Sequence, residues 1–301
     1  MISYALSLLK LPEILRLIRV KQWVKNLFLF IPLFFAGKLF DVNALASLFA
    51  GFVAFSLVAS AVYILNDYND IERDRAHPEK RSRPLASGSI GVGFAFTLMF
   101  IILTAGLTLG WLLDPIFFVT LAIYLTVNLA YSFGLKQIAL LDLFIIALGF
   151  ILRIVGGGLL ASVAITQWLV IMVFLLALFL ALAKRRDDLM IFQVSGQKVR
   201  KSVENYNIQF LDSCLTLISA IIMVSYLMYT ISPDVAERHG SSNLYITAVF
   251  VIAGMMRYLQ ITMVENKSGY PTRILFNDTF IRFTIIGWII CFYVVLYFPK
   301  F

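Results

Sequence analysis

The chain has 301 residues, of which 61% are hydrophobic and 14% are charged, and its formal net charge at pH 7 is +8. This composition excludes a soluble globular domain with an ordinary polar surface, because such domains carry about 25% charged residues. Lipid must instead be the main solvent of the protein, with helices that satisfy their own backbone groups. The basic net charge requires no nucleic-acid partner, because insertion topology and anionic membrane lipids account for it.

Long apolar runs recur along the chain. A bilayer core about 30 Å thick needs about 20 apolar residues per helix. We therefore predict an all-α, polytopic membrane protein with one transmembrane domain over residues 1–301, in which residues 1–22 form an interfacial helix. The nine predicted spans are residues 24–40, 44–65, 92–113, 115–133, 139–160, 165–183, 211–231, 244–260 and 280–299.

Basic residues collect on one side of these spans. When the loops are assigned to alternating sides, 21 of the 25 Lys and Arg residues fall on the side of the N-terminus. Lys and Arg accumulate in short cytoplasmic loops. The pattern predicts a multi-pass protein of the inner or plasma membrane, with its N-terminus and its charged candidate site in the cytoplasm.

The loop after the second span begins with oxygen-bearing side chains at helical spacing. Asn66, Asp70 and Asp74 stand at positions i, i+4 and i+8, which places them on one helical face. Carboxylates on one face, with room for water and substrate phosphate, suit Mg²⁺. Asp67 and Glu72 are predicted to lie off that face. The alternative interpretation is a solvated helix end whose acids pair with nearby arginines.

Cationic side chains follow in the same loop. Lys80, Arg81 and Arg83 can hold the negative charge of a diphosphate or phosphate. Such a cluster can also be a topological anchor. The presence of acids and bases in one short loop favours a phosphate-binding site that contains Mg²⁺.

Other polar residues lie near the same membrane face. Arg153 stands out because an ionisable residue inside a span is costly to bury, and the glycines at 156–158 after it indicate close helix packing. For Tyr131 and Lys136, an ordinary interfacial anchor is the first interpretation and substrate contact the second. The candidates for substrate binding are Gln22, Lys25, Asn26, Tyr131, Lys136, Asp142, Arg153, Lys184, Arg185, Asp188 and Tyr206.

The segments NDYNDIERD and KRSRPLASG resemble the first acidic motif of the UbiA superfamily of intramembrane transferases, and the resemblance extends over almost the entire chain. It implies a nine-helix bundle around a polar cavity that opens to the cytosol. It also implies that Asn66, Asp70 and Asp74 are catalytic and hold magnesium and diphosphate.

Prenyl-transferring members of that superfamily carry a second motif, DxxxD, after the sixth span. Here Asp187 is followed four residues later by Ile191, and the position four residues after Asp188 is Phe192, so the second pair is missing. The segments RVKQWVKN, YSFGLK and AKRRDDL resemble the branch of decaprenyl-phosphate phosphoribosyltransferases. That branch implies Mg²⁺-dependent transfer of a 5-phosphoribosyl group from 5-phosphoribosyl diphosphate to a polyprenyl phosphate.

Two other functions stay open at the level of sequence. A UbiA-type prenyltransferase would move a polyprenyl group from its diphosphate to an aromatic or other acceptor, and the missing DxxxD argues against it. A transporter or scaffold would carry ionisable residues at mid-membrane, whereas the polar residues here cluster at one face. A homo-oligomer is compatible with all three functions.

Overall fold

The computed structural model describes residues 11–76, 80–195, 205–266, 274 and 277–297. Regular secondary structure in these residues is entirely helical, and eight helices are long and apolar enough to cross a membrane. The prediction of an all-α, polytopic membrane protein is confirmed. The chain divides into two compact units: unit 1 is Met1–Leu135 with Leu152–Ile165, and unit 2 is Lys136–Ile151 with Thr166–Phe301. The assignment of residues 1–301 to a single domain stays a prediction.

Unit 1 is organised around one long buried helix, α2 (Val42–Asn69), which packs against α5 (Val92–Leu113) and α6 (Pro115–Phe133). Asp41 caps α2 by accepting a hydrogen bond from the Ala44 N–H at 3.0 Å, and Asp114 caps α6 through the Phe117 N–H at 2.7 Å. The helices of this unit are α1 (Ile31–Phe35), α2 (Val42–Asn69), α3 (Ile71–Ala76), α4 (Pro84–Ser87), α5 (Val92–Leu113), α6 (Pro115–Phe133) and the part of α7 (Leu141–Leu160) that follows residue 151.

The first predicted span, residues 24–40, differs from a continuous helix. A 3₁₀ helix covers Val20–Phe30 and is followed by the short α1. Pro32 lies at the start of α1, where its missing N–H and its ring are incompatible with a regular α-helical turn before it. Residues 11–17 are helical, and residues 1–10 of the predicted interfacial helix lie outside the described residues.

Unit 2 buries an apolar core between long helices. Helix α8 (Gln167–Ser195) packs against α9 (Ile208–Ile231), and α9 packs against α11 (Ala248–Met263). Helix α11 packs in turn against α12 (Thr279–Tyr297). The predicted sixth span ended at residue 183, but α8 continues to Ser195, so the charged residues 184–188 lie on a helix. The helices of this unit are α8 (Gln167–Ser195), α9 (Ile208–Ile231), α10 (Pro233–His239), α11 (Ala248–Met263) and α12 (Thr279–Tyr297), together with residues 141–151 of α7.

Candidate active site

The acidic motif continues the helical register of α2 into α3. The Asp70 N–H donates to the Asn66 carbonyl at 3.1 Å, and the Asp74 N–H donates to the Asp70 carbonyl at 2.8 Å. The predicted i, i+4, i+8 relationship therefore holds across the junction of the two helices. The side chain of Asn66 is fixed in addition, because its Oδ1 accepts a hydrogen bond from Ser132 Oγ at 2.7 Å.

Arg83 joins two buried carboxylates of this motif. Its Nη1 donates to Asp74 Oδ2 at 2.6 Å and to Asp67 Oδ1 at 3.1 Å. Asp67 also forms an ion pair with Arg19. Asp67 is 3% exposed and Asp74 is 4% exposed, so both depend on these arginines for charge compensation. The loop of acids and bases predicted from the sequence is thus an ion-pair network.

Asp67 belongs to the ion-pair network, although the sequence did not predict it there. The four-residue steps from Asn66 put Asp67 off the predicted face, but Asp67 and Asp74 are seven residues apart, which is close to two full helical turns. This seven-residue spacing is the sequence feature that could have placed Asp67 and Asp74 on the same helical face. Glu72, by contrast, is exposed and pairs with Arg75 at 3.0 Å, as a solvated helix end would.

The other polar groups of the loop are more open to solvent. Asp70 pairs with Arg73 at 3.5 Å, with side-chain exposures of 27% and 64% respectively. Arg81 is exposed and Lys80 is half-buried, and both belong to the 3₁₀ turn Lys80–Ser82 that precedes Arg83. The loop therefore presents two accessible cations beside the buried ion pairs.

Contacts from the N-terminal helix hold the loop that carries Arg83. Arg16 Nη2 donates to the Ser82 carbonyl at 2.8 Å, and Ser89 Oγ donates to Glu13 Oε2 at 3.0 Å. Arg16 and Glu13 are themselves paired at 2.7 Å. The residues on both sides of Arg83 are thus fixed to one helical turn near the N-terminus.

Arg153 is buried in unit 1 within a polar and aromatic environment. Its Nε donates to Asn26 Oδ1 at 2.8 Å, and its guanidinium lies 4.7 Å from the ring centre of Phe55 and 5.0 Å from that of Tyr124. Asn26 Nδ2 donates in turn to Ser56 Oγ at 2.8 Å. The cost of burying this cation is offset by hydrogen bonds and by two aromatic faces.

The glycine run after Arg153 allows the 3₁₀ helix to approach α7 closely. A Cβ atom on Gly157 would lie 2.0 Å from the Leu29 carbonyl oxygen, which is far inside van der Waals contact. The prediction of close packing at these glycines is confirmed. This approach brings Asn26 of the 3₁₀ helix to Arg153 of α7.

A second polar cluster lies in unit 2. Arg185 Nε donates to Asp142 Oδ2 at 2.8 Å, and Arg185 Nη1 donates to Asp188 Oδ2 at 2.7 Å. The Tyr206 hydroxyl accepts a hydrogen bond from the Leu140 N–H at 2.6 Å. Burial raises the pKa of Tyr206, and the nearby Asp142 carboxylate raises it further, so the phenol is neutral near pH 7. Four of the predicted substrate-binding residues are therefore brought together here.

The predicted site residues thus belong to two clusters and their surroundings. In unit 1, Gln22, Lys25 and Tyr131 are half-buried. In unit 2, Lys136 is half-buried, and Lys184 is exposed beside the buried Arg185. Arg186, the next residue in α8, donates hydrogen bonds to Asp212 Oδ1 at 2.6 Å and to the Thr262 carbonyl at 2.8 Å.

The oxygen atoms at the end of α2 fit part of a magnesium site. Asp70 and Asp74 supply carboxylates and Asn66 supplies an amide oxygen, which are hard donors of the kind Mg²⁺ binds. Among the described residues, no three His, Cys, Asp or Glu side chains form a group that could hold a metal by themselves. Mg²⁺ commonly binds through one or two carboxylates together with water and substrate phosphate. The donor set therefore suits a site that a phosphorylated substrate completes.

The relationship to known proteins agrees with this geometry. The sequence model of the UbiA prenyltransferase family matches residues 27–194. The chain belongs to the UbiA prenyltransferase family. The match includes the acidic motif of unit 1 and extends to the charged end of α8.

Curated UbiA relatives cover nearly the full length of the chain. Decaprenyl-phosphate phosphoribosyltransferase of Mycolicibacterium smegmatis is 32% identical over 286 residues, which are 92% of this chain and 90% of that protein. The enzyme of the same name from Mycobacterium tuberculosis is 31% identical over 283 residues, covering 92% of this chain and 91% of that one.

Solved structures show the same UbiA fold. The structure of a UbiA homolog from Archaeoglobus fulgidus bound to GPP and Mg²⁺ matches with a TM-score of 0.70 at 18% identity. The match covers 94% of this chain and all of that one. At this identity the comparison establishes the fold of the chain.

Proposed function

We propose that the protein transfers a 5-phosphoribosyl group from 5-phosphoribosyl diphosphate to a polyprenyl phosphate and releases diphosphate. The observation that carries this proposal is the similarity along nearly the whole length of both chains to decaprenyl-phosphate phosphoribosyltransferases. The ion pairs at the end of α8 support it, because Asp188 is bonded to Arg185 and is not part of a spaced pair of carboxylates.

In the proposed reaction one bond forms and one breaks. An oxygen of the lipid phosphate attacks C1 of the donor ribose, and the bond between C1 and the diphosphate oxygen breaks with its electron pair leaving on diphosphate. A phosphate monoester is already anionic near pH 7, so the attack needs no strong base. Positioning and charge compensation are then the main tasks of the protein.

The acidic end of α2 is the proposed site for the leaving diphosphate. Asn66, Asp70 and Asp74 would hold Mg²⁺, whose charge compensates the charge that develops on diphosphate. Arg83 uses Nη1 for both of its carboxylate bonds, while its Nε and Nη2 make no hydrogen bond to any described residue. These two nitrogens form a fork that suits phosphate oxygens. Lys80 and Arg81 add exposed or half-buried positive charge beside it.

The remaining polar residues are proposed to hold the other phosphate groups, namely the 5-phosphate of the donor and the phosphate of the lipid. Lys25 is close enough to Arg153 and Arg19 for their charges to interact, so unit 1 contains a concentration of positive charge that an anion would relieve. The proposed substrate-binding residues are Gln22, Lys25, Asn26, Lys80, Arg81, Arg83, Tyr131, Lys136, Asp142, Arg153, Lys184, Arg185, Asp188 and Tyr206.

The protein is a multi-pass membrane protein, and we propose that it lies in the inner or plasma membrane with its N-terminus and active site in the cytoplasm. The bias of 21 of the 25 basic residues toward one side supports this orientation. A water-soluble phosphorylated donor would then enter from the cytoplasm, and the polyprenyl acceptor from the lipid phase.

An assay with two donor and acceptor pairs tests this proposal. Purified protein in lipid nanodiscs is incubated with Mg²⁺ and either 5-phosphoribosyl diphosphate plus decaprenyl phosphate, or decaprenyl diphosphate plus an aromatic acceptor. We expect a phosphoribosylated lipid and diphosphate from the first pair, and no product when Mg²⁺ is chelated. A prenylated aromatic product without any phosphoribosylated lipid would establish the prenyltransferase instead.

A further inference from the structure

The polar cluster of unit 2 contains its own cation, the Arg185 side chain. The Arg185 guanidinium is 1% exposed and lies between two carboxylates, at 2.8 Å from Asp142 Oδ2 and 2.7 Å from Asp188 Oδ2. Asp142 is fully buried, and the side chain of Asp188 is 12% exposed. A guanidinium is a cation with five N–H donors. The two acids are thus compensated without an external ion.

Geometry leaves little room for a divalent ion among these three side chains. Each carboxylate directs its Oδ2 at the guanidinium, so a metal that bridged these two oxygens would compete with Arg185 for them. Mg²⁺ requires near-octahedral oxygen ligands at about 2.0–2.1 Å. A metal between Asp142 and Asp188 would have to displace Arg185 and leave its charge buried without a partner, which is strongly unfavourable.

The second oxygen of Asp142 does not change this conclusion. Asp142 Oδ1 is buried and has no hydrogen-bond partner among the described residues. It lies near the Tyr206 hydroxyl, which is neutral near pH 7. Asp142 Oδ1 would offer a metal one charged oxygen, beside a buried guanidinium whose positive charge repels the ion.

We propose that Arg185 takes the place of a divalent cation in unit 2, so that the protein binds divalent metal through the acidic residues of unit 1 alone. The UbiA resemblance implies a second metal in prenyltransferases that carry the DxxxD pair, and the residues here do not fit that second site. The proposal rests on the proposed function for the metal site of unit 1. It adds that unit 2 carries a fixed guanidinium in place of a metal ion, held in position by Asp142 and Asp188.

Metal counting tests the proposal without measuring activity. Protein in neutral-lipid nanodiscs is dialysed to equilibrium against MnCl₂ and inorganic diphosphate, and the bound manganese is the excess over the dialysate. We expect one ion per chain, lost in Asp70→Asn and retained in Asp188→Asn. Two ions in the wild-type chain, with one lost in Asp188→Asn, would overturn the proposal while leaving the proposed transfer reaction intact. No bound ion would overturn the metal site of unit 1, on which the proposal rests.

Removal of the guanidinium gives a second test with a matched control. Arg185→Gln leaves two carboxylates without their cation, and we expect this variant to bind one manganese ion more than the wild type. Arg186→Gln removes the neighbouring arginine, which is bonded to Asp212 instead, and should bind the wild-type number. A folded Arg185→Gln protein without the additional ion would contradict the proposal. If that variant does not fold, the Asp188→Asn count decides.

Discussion

Asp67 and Asp74 accept hydrogen bonds from the same nitrogen atom, Nη1 of Arg83, at 3.1 Å and 2.6 Å. This relationship links the end of α2 to α3 and to the loop that carries the cationic cluster. It makes Arg83 both a structural cross-link and a candidate ligand for diphosphate. A substitution of Arg83 is therefore expected to change both stability and activity.

Arg83→Gln should lower both stability and activity. The change leaves Asp74 buried without its cation, and we expect a loss of about 1–3 kcal/mol in the free energy of unfolding, because charged hydrogen bonds contribute that much. Thermal unfolding in nanodiscs measures it. Arg73→Gln is the control, since the Arg73 side chain is 64% exposed and its pair with Asp70 is 3.5 Å long. Equal melting temperatures for the two variants would contradict the cross-linking role.

Asp70→Asn should reduce phosphoribosyl transfer by about 10²-fold or more, because one donor for the metal and its charge are lost. Folding should be preserved, since the carboxylate is partly exposed and its ion pair with Arg73 is long, at 3.5 Å. Glu72→Gln is the matched control, because its side chain is 84% exposed and pairs with Arg75. Near wild-type turnover in Asp70→Asn would count against the proposed metal site.

Arg153→Lys should weaken the buried network of unit 1 although it keeps the charge. A lysine ammonium cannot both reach Asn26 and spread over the rings of Phe55 and Tyr124 as a planar guanidinium does. We expect a loss in kcat/KM of about tenfold or more, equivalent to about 1.4 kcal/mol.

Tyr124→Phe provides the comparison for that variant. It removes a hydrogen bond of 3.3 Å from Arg153 Nη2 but retains the aromatic face. The effect on kcat/KM should be less than about fivefold, since the net contribution of one such bond is about 1 kcal/mol or less. A Tyr124→Phe loss as large as that of Arg153→Lys would show that the hydroxyl, not the stacking, holds the arginine.

Gly157→Ala should destabilise unit 1. The added Cβ would lie 2.0 Å from the Leu29 carbonyl oxygen, so the 3₁₀ helix must move away from α7. Overpacking of this kind costs about 1–3 kcal/mol, and it would also separate Asn26 from Arg153. Gly93→Ala is the control, because a Cβ at that position meets nothing within 4 Å. Unchanged melting temperatures for both variants would contradict the close approach.

The sequence was most informative about features that lie within one helix, such as its length and the spacing of its polar residues. Eight spans follow from apolar runs long enough to cross a bilayer, and the register of Asn66, Asp70 and Asp74 follows from helical geometry alone. The first span, residues 24–40, was harder because an apolar run does not distinguish a 3₁₀ helix from an α-helix, although Pro32 signals the change.

Pairings between distant residues could not be predicted in this way. Asp67 meets Arg19 across 48 positions in the chain, and Arg153 meets Asn26 across 127. Such pairs depend on how helices pack, and periodicity contains no information about that. The missing DxxxD was visible in the sequence, but the ion pair that Arg185 forms with Asp142 required the structure.

A cryo-EM structure of the protein with Mn²⁺ and a non-hydrolysable analogue of 5-phosphoribosyl diphosphate would test the proposed metal and diphosphate site most directly. We expect metal density within coordination distance of Asp70 and Asp74, with the diphosphate of the analogue in contact with Arg83. Metal and diphosphate bound elsewhere, with the carboxylates of Asp70 and Asp74 directed away from both, would contradict it.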